Sequence, residues 1–208
     1  MFPFDVILFD VGGVLLTNGW DTNERALAVE RFHLDAAAFE ARHQAAYPAW
    51  ERGESSVKDY LDATVFSEPR TFSQDEFFAF MLSMSRVLPN GALGTLEELA
   101  ASNNCSLGKC LLGALNNEAR ETNEYRFRTF GLRKRFNVSL SSCYLGLRKP
   151  DPAIYQRALD ILGRPADRIL FIDDREENVA GAARAGMKAA KFEGADSLRR
   201  ELAGLGVL

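Results

Sequence analysis

Two segments of the sequence place carboxylates directly after apolar runs. The run at 6–9 is followed by Asp10, and the run "ILFI" is followed by Asp173 and Asp174. In open parallel sheets, ligands bind at the carboxyl ends of the strands. If these two strands are neighbours, three carboxylates share one small site, and their mutual repulsion raises their pKa values. The pattern therefore predicts a bound cation.

The donor types indicate which cation this is. Oxygen ligands with room for water suit Mg²⁺, whereas zinc prefers His and Cys. The chain has two histidines, His33 and His43, and both lie in a helical segment away from the acids. We therefore predict a Mg²⁺ site. An alternative interpretation of Asp173 and Asp174 is an N-cap pair for the next helix, but it leaves Asp10 unexplained.

Two further features suit an anion beside this cation. Gly12 and Gly13 follow Asp10, and glycines permit a tight turn whose backbone N–H groups approach an anion. Lys149 stands between a predicted strand and a predicted helix, in "LRKPDP". Its ammonium can neutralise both a carboxylate and a phosphate. The alternative for Lys149 is a solvated surface residue.

Composition restricts the class of protein. The chain has 208 residues, 47% of them hydrophobic and 26% charged, which is ordinary for one globular domain with or without an insertion. A net charge of -4 speaks against general nucleic-acid binding, which needs a basic face. No apolar run approaches the ~20 residues of a membrane helix, and we expect no membrane partner.

The cysteines and the N-terminus bear on location. Cys105, Cys110 and Cys143 are an odd set without metal-type spacing, which is typical of reduced thiols in the cytosol. The first apolar stretch is interrupted by Pro3 and Asp5 and lacks a basic region before it, unlike a signal peptide. We expect a cytoplasmic protein.

Strands alternate with helices over most of the chain. Helical spacing predicts helices near 93–101, near 118–130, from Pro152 and over "ENVAGAARAG". Apolar runs predict strands near 6–9, 110–115, 138–142, 168–172 and around "KAAKF". This alternation predicts an α/β fold with a Rossmann-like, doubly wound parallel sheet.

The segment from about 23 to 86 differs from the rest of the chain. Its apolar residues recur at helical spacing with charges between them, and no strand-like alternation interrupts them. Because it follows the first strand directly, we expect an all-helical cap inserted at 18–87. The core would then consist of 1–17 and 88–208.

Four segments together resemble the haloacid dehalogenase (HAD) superfamily of hydrolases: "FDVGGVLL", "LNN", "LRKPDPAIYQRAL" and "FIDDREENVAGAARAGM". The resemblance covers essentially the whole chain, and the last two segments are the most specific. The sequence is most similar to the small-cap phosphatases, which include bacterial glucose-1-phosphate phosphatases and the phosphatase domains of epoxide hydrolases. This implies Mg²⁺-dependent hydrolysis of a small phosphorylated substrate, such as a sugar phosphate.

The resemblance also implies a role for each matching residue. Asp10 matches the nucleophile that forms an aspartyl-phosphate, which water then cleaves. Mg²⁺ would bind Asp10, Asp173 and the backbone carbonyl of Gly12. Asp174 would orient metal-bound water, and Lys149 would hold the nucleophile and the phosphate.

The sequence departs from the family pattern at two positions. Gly12 stands where most of these phosphatases have an Asp as general acid and base, a contribution of ~10²–10⁴-fold in rate. A reactive acyl or anomeric phosphate would suffer least from its loss. At the family's phosphate-binding Ser or Thr, this chain has Leu115, preceded by Ala114. We expect Asn116 to supply an amide donor instead.

The cap is expected to select the substrate by closing over the site. Candidate lining residues are Trp20, Tyr47, Trp50 and Glu51, because aromatic faces and a single acid suit a sugar; the alternative for the aromatic residues is packing within the cap. His43 would replace the missing acid or be an ordinary packing histidine.

Two other functions are compatible with parts of the pattern. A metal-independent haloacid dehalogenase also has an Asp nucleophile and no second Asp, but it does not need the pair Asp173 and Asp174. A catalytically weak or inactive HAD-like protein would bind a phosphometabolite or a protein partner. Retention of Asp10 and Lys149 beside the acid pair argues against complete loss of function.

Overall fold

Five strands form one parallel sheet in a computed structural model that describes residues 2–208. They are β1 (Val6–Phe9), β2 (Leu111–Ala114), β3 (Val138–Ser139), β4 (Ile169–Asp173) and β5 (Lys188–Lys191). Their order is β3-β2-β1-β4-β5, and every neighbouring pair is parallel. β1 therefore lies at the centre, with β2 on one side and β4 on the other.

Four helices follow β1 before the chain returns to the sheet. They are α1 (Thr22–Phe32), α2 (Ala36–Glu51), α3 (Val57–Thr64) and α4 (Gln74–Ser83). Their shared core is largely aromatic and includes Phe32, Phe39, Trp50, Tyr60 and Phe77. This is the all-helical segment that the spacing of apolar residues predicted.

Seven more helices alternate with the remaining strands. They are α5 (Leu93–Ala101), α6 (Asn103–Ser106), α7 (Arg120–Thr129), α8 (Ser142–Leu145), α9 (Pro152–Leu162), α10 (Glu176–Arg184) and α11 (Ala195–Gly204). They cover both faces of the sheet. Among the residues described, no helix has both the length and the apolar character needed to cross a bilayer.

The central strands β1 and β2, and β4 up to Asp173, are apolar because both faces of the sheet are buried there. Alternate residues of β1 enter different hydrophobic clusters: Ile7 and Phe9 pack with α5, α7 and α11, whereas Val6 and Leu8 pack with α9 and α10. The α/β fold with a doubly wound sheet is therefore confirmed.

The chain enters and leaves the helical segment through two adjacent stretches. The Thr17 N–H donates to the Arg86 carbonyl oxygen at 2.9 Å, and the Leu88 N–H donates to the Leu15 carbonyl oxygen at 3.1 Å. These stretches lie at the predicted limits of the cap. The division into a core (1–17 and 88–208) and a cap (18–87) stays a prediction.

Some predicted boundaries were wrong. β3 was expected over 138–142 but contains two residues, because the Ser142 N–H turns to the Asn116 carbonyl oxygen and begins α8. The helix expected near 118–130 begins at Arg120. The short helices α6 and α8 have too few residues to show a helical period in the sequence.

Candidate active site

The ends of β1 and β4 bring the predicted carboxylates together. Phe9 pairs with Ile172, and the next amide, that of Asp10, donates to the Ile172 carbonyl oxygen at 2.8 Å. Asp10 and Asp173 therefore leave adjacent strands at the same edge. One carboxylate oxygen from each of Asp10, Asp173 and Asp174 lies within 4.8 Å of the others.

Lys149 completes this cluster. Its Nζ lies 2.5 Å from Asp173 Oδ2 and 3.1 Å from Asp10 Oδ1, and its side chain is 1% exposed. Asn117 fixes its backbone: Oδ1 accepts from the Lys149 N–H and Nδ2 donates to the Lys149 carbonyl oxygen, both at 2.8 Å. Lys149 is therefore not a surface lysine. Asn117 was not among the site residues predicted from the sequence, although "LNN" contains it.

Asp173 also holds the turn that precedes α10. Its Oδ1 accepts from the Arg175 N–H at 2.8 Å and from Asn178 Nδ2 at 3.0 Å. The N-cap residue of α10 is Arg175, which makes no side-chain cap. The pair of acids is therefore not an N-cap pair, although Asp173 supports the turn before the helix.

The charges of the cluster do not balance. Burial raises the pKa of Asp10 to about 7, which the Lys149 ammonium opposes and Asp173 reinforces. Burial, with Asp173, also raises the pKa of Asp174. Burial disfavours the charged form of Lys149, yet Asp10 and Asp173 hold its pKa above the ordinary value. Three carboxylates thus face one ammonium, an arrangement that a divalent cation stabilises.

The residues present fit Mg²⁺. The donor set is all oxygen, and Asp174 Oδ1 is buried without a hydrogen-bond partner within residues 2–208. A buried carboxylate oxygen of this kind needs a ligand, since nearly all buried polar atoms are satisfied. Hard oxygen donors in this number match Mg²⁺ rather than a softer metal.

Gly13 has a steric role at this site. Its φ is +71°, and a Cβ built there would lie 2.2 Å from Asp174 Oδ2, so any side chain would displace the acid. Its N–H donates to the Leu16 carbonyl oxygen at 2.8 Å. That donor is therefore already used in this structure, and anion binding by the Gly13 amide stays a prediction.

Gly12 leaves a defined space beside the nucleophile. A Cβ at this position would lie 3.0 Å from Asn18 Oδ1 and 3.8 Å from Arg126 Nη1. Arg126 is buried, donates to the Asn18 carbonyl oxygen at 3.3 Å and pairs with Glu118 at 2.5 Å. An amide oxygen and a guanidinium thus border the position of the missing acid.

The segment after β2 differs in part from expectation. Leu115 is fully buried in the hydrophobic core, so this position offers no hydroxyl. Asn116 Nδ2 donates to Asn123 Oδ1 at 3.1 Å, and Asn116 Oδ1 accepts from Ser141 Oγ at 2.8 Å. Both ends of the Asn116 amide thus contact neighbouring side chains, and phosphate binding by this residue stays a prediction.

A cavity of 460 Å³ lies between these strand ends and the helical segment. Its lining on the sheet side includes Asp10, Gly12 and Lys149. It also includes Asn117 rather than the predicted Asn116. The four cap residues proposed from sequence all line it: Trp20, Tyr47, Trp50 and Glu51. The helical segment thus covers the nucleophile.

Hydrogen bonds and stacking fix the aromatic residues of this lining. Trp20 Nε1 donates to the Tyr60 hydroxyl, which contacts His43 Nδ1, both at 2.8 Å. Trp50 stacks on Tyr60 at 4.3 Å and is 3% exposed, so packing is its main role. Burial lowers the pKa of His43 to about 4, which favours the interpretation of His43 as a neutral packing histidine.

The fold and this cluster of strand-end carboxylates define the class of protein. A sequence profile of the haloacid dehalogenase-like hydrolases matches residues 4–186. The chain therefore belongs to the haloacid dehalogenase-like hydrolase family, as its motifs indicated.

Curated relatives share parts of this sequence. Flavin mononucleotide hydrolase 1 of Arabidopsis thaliana is 46% identical over 66 residues, 32% of this chain and 27% of the relative. A phosphatase of Mycobacterium tuberculosis is 38% identical over 76 residues, 35% of each chain. Bifunctional epoxide hydrolase 2 of Sus scrofa is 26% identical over 215 residues, 94% of this chain and 37% of the relative. The matches span less than two fifths of these relatives.

Solved structures share the fold. A HAD family enzyme of Bacteroides thetaiotaomicron, in complex with magnesium and inorganic phosphate, superposes with a TM-score of 0.72 at 20% identity, covering 92% of this chain and 95% of the other. L-2-haloacid dehalogenase of Xanthobacter autotrophicus superposes with a TM-score of 0.62 at 18% identity, covering 96% and 82%.

Proposed function

We propose that this protein is a Mg²⁺-dependent phosphatase that acts on a small phosphorylated metabolite, such as a sugar phosphate, with Asp10 as the nucleophile. The observation behind it is the cluster of Asp10, Asp173, Asp174 and Lys149 at the base of a covered cavity. The relatives named as a flavin mononucleotide hydrolase and a phosphatase support this class. A metal-independent dehalogenase, in contrast, does not need Asp173 and Asp174.

The hydrogen bonds of Asp10 differ between its two oxygens. The Val11 N–H donates to Oδ1 at 2.8 Å, and Lys149 Nζ lies 3.1 Å from the same atom. We infer that Oδ2 attacks phosphorus while the bond to the leaving oxygen breaks. Water then attacks the aspartyl-phosphate, which releases phosphate and restores the carboxylate.

The surrounding charges suit phosphoryl transfer, which depends on positioning and electrostatic stabilisation. Lys149 balances the charge of the nucleophile, and its ammonium can also contact a phosphate oxygen. Asp10, Asp173 and the Gly12 carbonyl would hold Mg²⁺, which supplies positive charge to the phosphoryl oxygens. Asp174 is positioned to orient a water molecule with its unpartnered oxygen.

The absence of a side-chain acid at position 12 restricts the leaving groups that the enzyme can expel efficiently. No side-chain acid stands at position 12, so the leaving oxygen departs as a stable anion or takes its proton from water. Acyl phosphates and anomeric sugar phosphates have the better leaving groups. Of the phosphate-binding residues predicted from sequence, Lys149 and Gly12 stay in this proposal.

The predicted location is also part of the proposal. The three cysteines are free, as reduced thiols are in the cytosol. We propose a cytoplasmic enzyme whose partner is a small phosphorylated substrate rather than nucleic acid or membrane.

The proposal is tested by phosphate release from a panel of small phosphomonoesters that includes sugar 1-phosphates and acetyl phosphate. Release that needs Mg²⁺, stops with chelator and is lost in Asp10→Asn supports the phosphatase. The absence of release from every compound by folded protein would instead support a binding protein that has lost turnover. Release of halide from a haloacid without metal would support the dehalogenase.

A further inference from the structure

Four arginines line the cavity above the nucleophile, and each already has a carboxylate partner. The pairs are Arg25 with Glu40 at 2.8 Å, Arg126 with Glu118 at 2.5 Å, Arg148 with Glu51 at 2.6 Å and Arg175 with Asp21 at 3.1 Å. The remaining cation of the lining, Lys149, pairs with Asp10 and Asp173. The lining is thus rich in charge, and each of its arginine and lysine side chains is paired with a carboxylate.

The pair in α1 and α2 is the most completely bonded. Arg25 Nε and Nη2 donate to the two oxygens of Glu40 at 2.8 and 2.9 Å, and Nη1 donates to the Trp20 carbonyl oxygen at 3.0 Å. The arginine is 6% exposed. Such a bidentate pair is among the strongest side-chain contacts, so Arg25 is not free for an anion of the substrate.

The ion pair of Glu51 and Arg148 connects the helical segment to the loop that carries Lys149. Glu51 ends α2, whereas Arg148 directly precedes Lys149. The Arg148 guanidinium also lies 4.8 Å from the centre of the Tyr47 ring. Both side chains of the pair line the cavity and are about one fifth exposed, at 21% and 23%, so the pair is accessible to a molecule in the cavity.

We propose, on the basis of the phosphatase function above, that the cavity selects a phosphate ester whose other end is uncharged and rich in hydroxyl groups, and that Glu51 and Arg148 exclude a second anion. Glu51 holds Arg148 Nε at 2.6 Å, so an anionic tail that approaches Arg148 also faces the Glu51 carboxylate, and the repulsion between the two negative charges is unfavourable. Hydroxyl groups donate to Glu51 and accept from Arg148 while the pair stays intact.

Two open-chain probes isolate this effect. Sorbitol 6-phosphate and 6-phosphogluconate differ at the end away from the phosphate, where one carries a hydroxymethyl group and the other a carboxylate. We expect the wild-type enzyme to prefer sorbitol 6-phosphate by about tenfold or more in kcat/KM, as the loss of one charge-assisted contact implies.

Substitution of Glu51 changes this ratio. Glu51→Gln keeps the size of the side chain and releases the Arg148 guanidinium, so the relative kcat/KM for 6-phosphogluconate is expected to rise by about tenfold. Glu54→Gln is the matched control: Glu54 pairs with Arg52 at 2.7 Å at the end of α2, outside the cavity lining, and loses the same charge. This control is expected to leave the ratio unchanged.

The proposal is overturned if wild-type enzyme hydrolyses 6-phosphogluconate as well as sorbitol 6-phosphate, or if Glu54→Gln shifts the ratio as much as Glu51→Gln. The wild-type ratio needs no variant, so a folding defect in Glu51→Gln leaves the test intact. If neither probe is hydrolysed, calorimetry with Mg²⁺ gives the two affinities. Tighter binding of sorbitol 6-phosphate then supports the selection, while phosphate release from acetyl phosphate tests the phosphatase function separately; no binding, or tighter binding of 6-phosphogluconate, overturns the selection.

Discussion

Gly12 stands two residues after Asp10, next to the side chain of Asn18 and the guanidinium of Arg126. The space at this position is small but not closed, since the nearest atom to an added Cβ is the end of the flexible Asn18 side chain at 3.0 Å. Gly12 also lacks the positive φ that strains other residues at Gly13. A side chain at position 12 is therefore tolerated if Asn18 moves by a few tenths of an ångström.

We predict that Gly12→Asp accelerates hydrolysis of alkyl phosphates, which have poor leaving groups, and leaves acetyl phosphate nearly unchanged. General acid catalysis gives ~10²–10⁴-fold, and we expect about the lower end because Arg126 holds the pKa of the new carboxyl down. Steady-state kcat on both substrates is the measurement. Gly12→Asn, of equal size without a proton to give, is the control; equal rates in the folded Asp variant would contradict the role of the missing acid.

The clustering of the strand-end acids with Lys149 was easier to predict from the sequence than the contacts that support it. Asp10, Asp173 and Lys149 follow from strand ends and helix starts, which local patterns determine. The choice between Asn116 and Asn117 depends on contacts with distant residues: Asn123 and Ser141 engage Asn116, and the backbone of Lys149 engages Asn117. No local pattern distinguishes two adjacent asparagines.

At the scale of elements, the helices over the site are joined by a chain of polar contacts inside an aromatic core. Trp20 Nε1 can only donate, so the Tyr60 oxygen accepts from it, and the same hydroxyl forms a hydrogen bond with His43 Nδ1. Tyr60 is 1% exposed and belongs to α3, whereas His43 belongs to α2. These hydrogen bonds thus fix how α2 and α3 pack beneath Trp20.

We predict that Tyr60→Phe lowers the free energy of unfolding by about 1–3 kcal/mol, because it leaves buried polar partners unsatisfied while the ring can still stack on Trp50. Urea unfolding measures the change. Tyr125→Phe, at a partly exposed tyrosine of α7, is the control and is expected to alter stability by less than ~0.5 kcal/mol. Indistinguishable midpoints for both variants would show that the hydroxyl of Tyr60 does not stabilise these helices.

The elements themselves were predictable where they are long and periodic. The buried strands β1 and β4 and the helix beginning at Pro152 have clear signals, namely a full apolar run and proline in the first turn. β3 has two residues, and the path of the chain after it is set by hydrogen bonds from the Leu140 N–H to Ala114, the last residue of β2, and from the Ser142 N–H to Asn116. Such pairing across the sheet is not encoded locally.

At the scale of the whole molecule, the helical segment lies closed on the sheet domain. Glu121 of α7 accepts from Trp50 Nε1 at 3.2 Å and from the Val57 N–H at 2.9 Å. Ser142 Oγ also donates to the Glu51 carbonyl oxygen at 2.6 Å. These are among the contacts that an opening of the helical segment would break. The sequence indicated an insertion but not these partners, because they join residues far apart in the chain.

We predict that Glu121→Ala increases amide hydrogen exchange in α2 and α3 while β1 and β4 keep their protection, since the strands do not depend on this contact. Hydrogen exchange by mass spectrometry measures both. Glu124→Ala is the control. Glu124 lies on the same helix as Glu121, and its substitution removes an exposed ion pair with Arg133. Equal gains in exchange across strands and cap would contradict the division at 18–87, because a separate unit loosens by itself.

The proposed mechanism requires that Asp10 carries the phosphoryl group during turnover. The most direct measurement is acid quenching during hydrolysis of the best substrate with Mg²⁺, followed by mass spectrometry of the peptide that contains Asp10. We expect the mass of one phosphoryl group on Asp10 in the wild-type enzyme, and none in Asp10→Asn or in the presence of chelator. Steady hydrolysis with a phosphoryl group on another residue, or with full activity in Asp10→Asn, would contradict the claim.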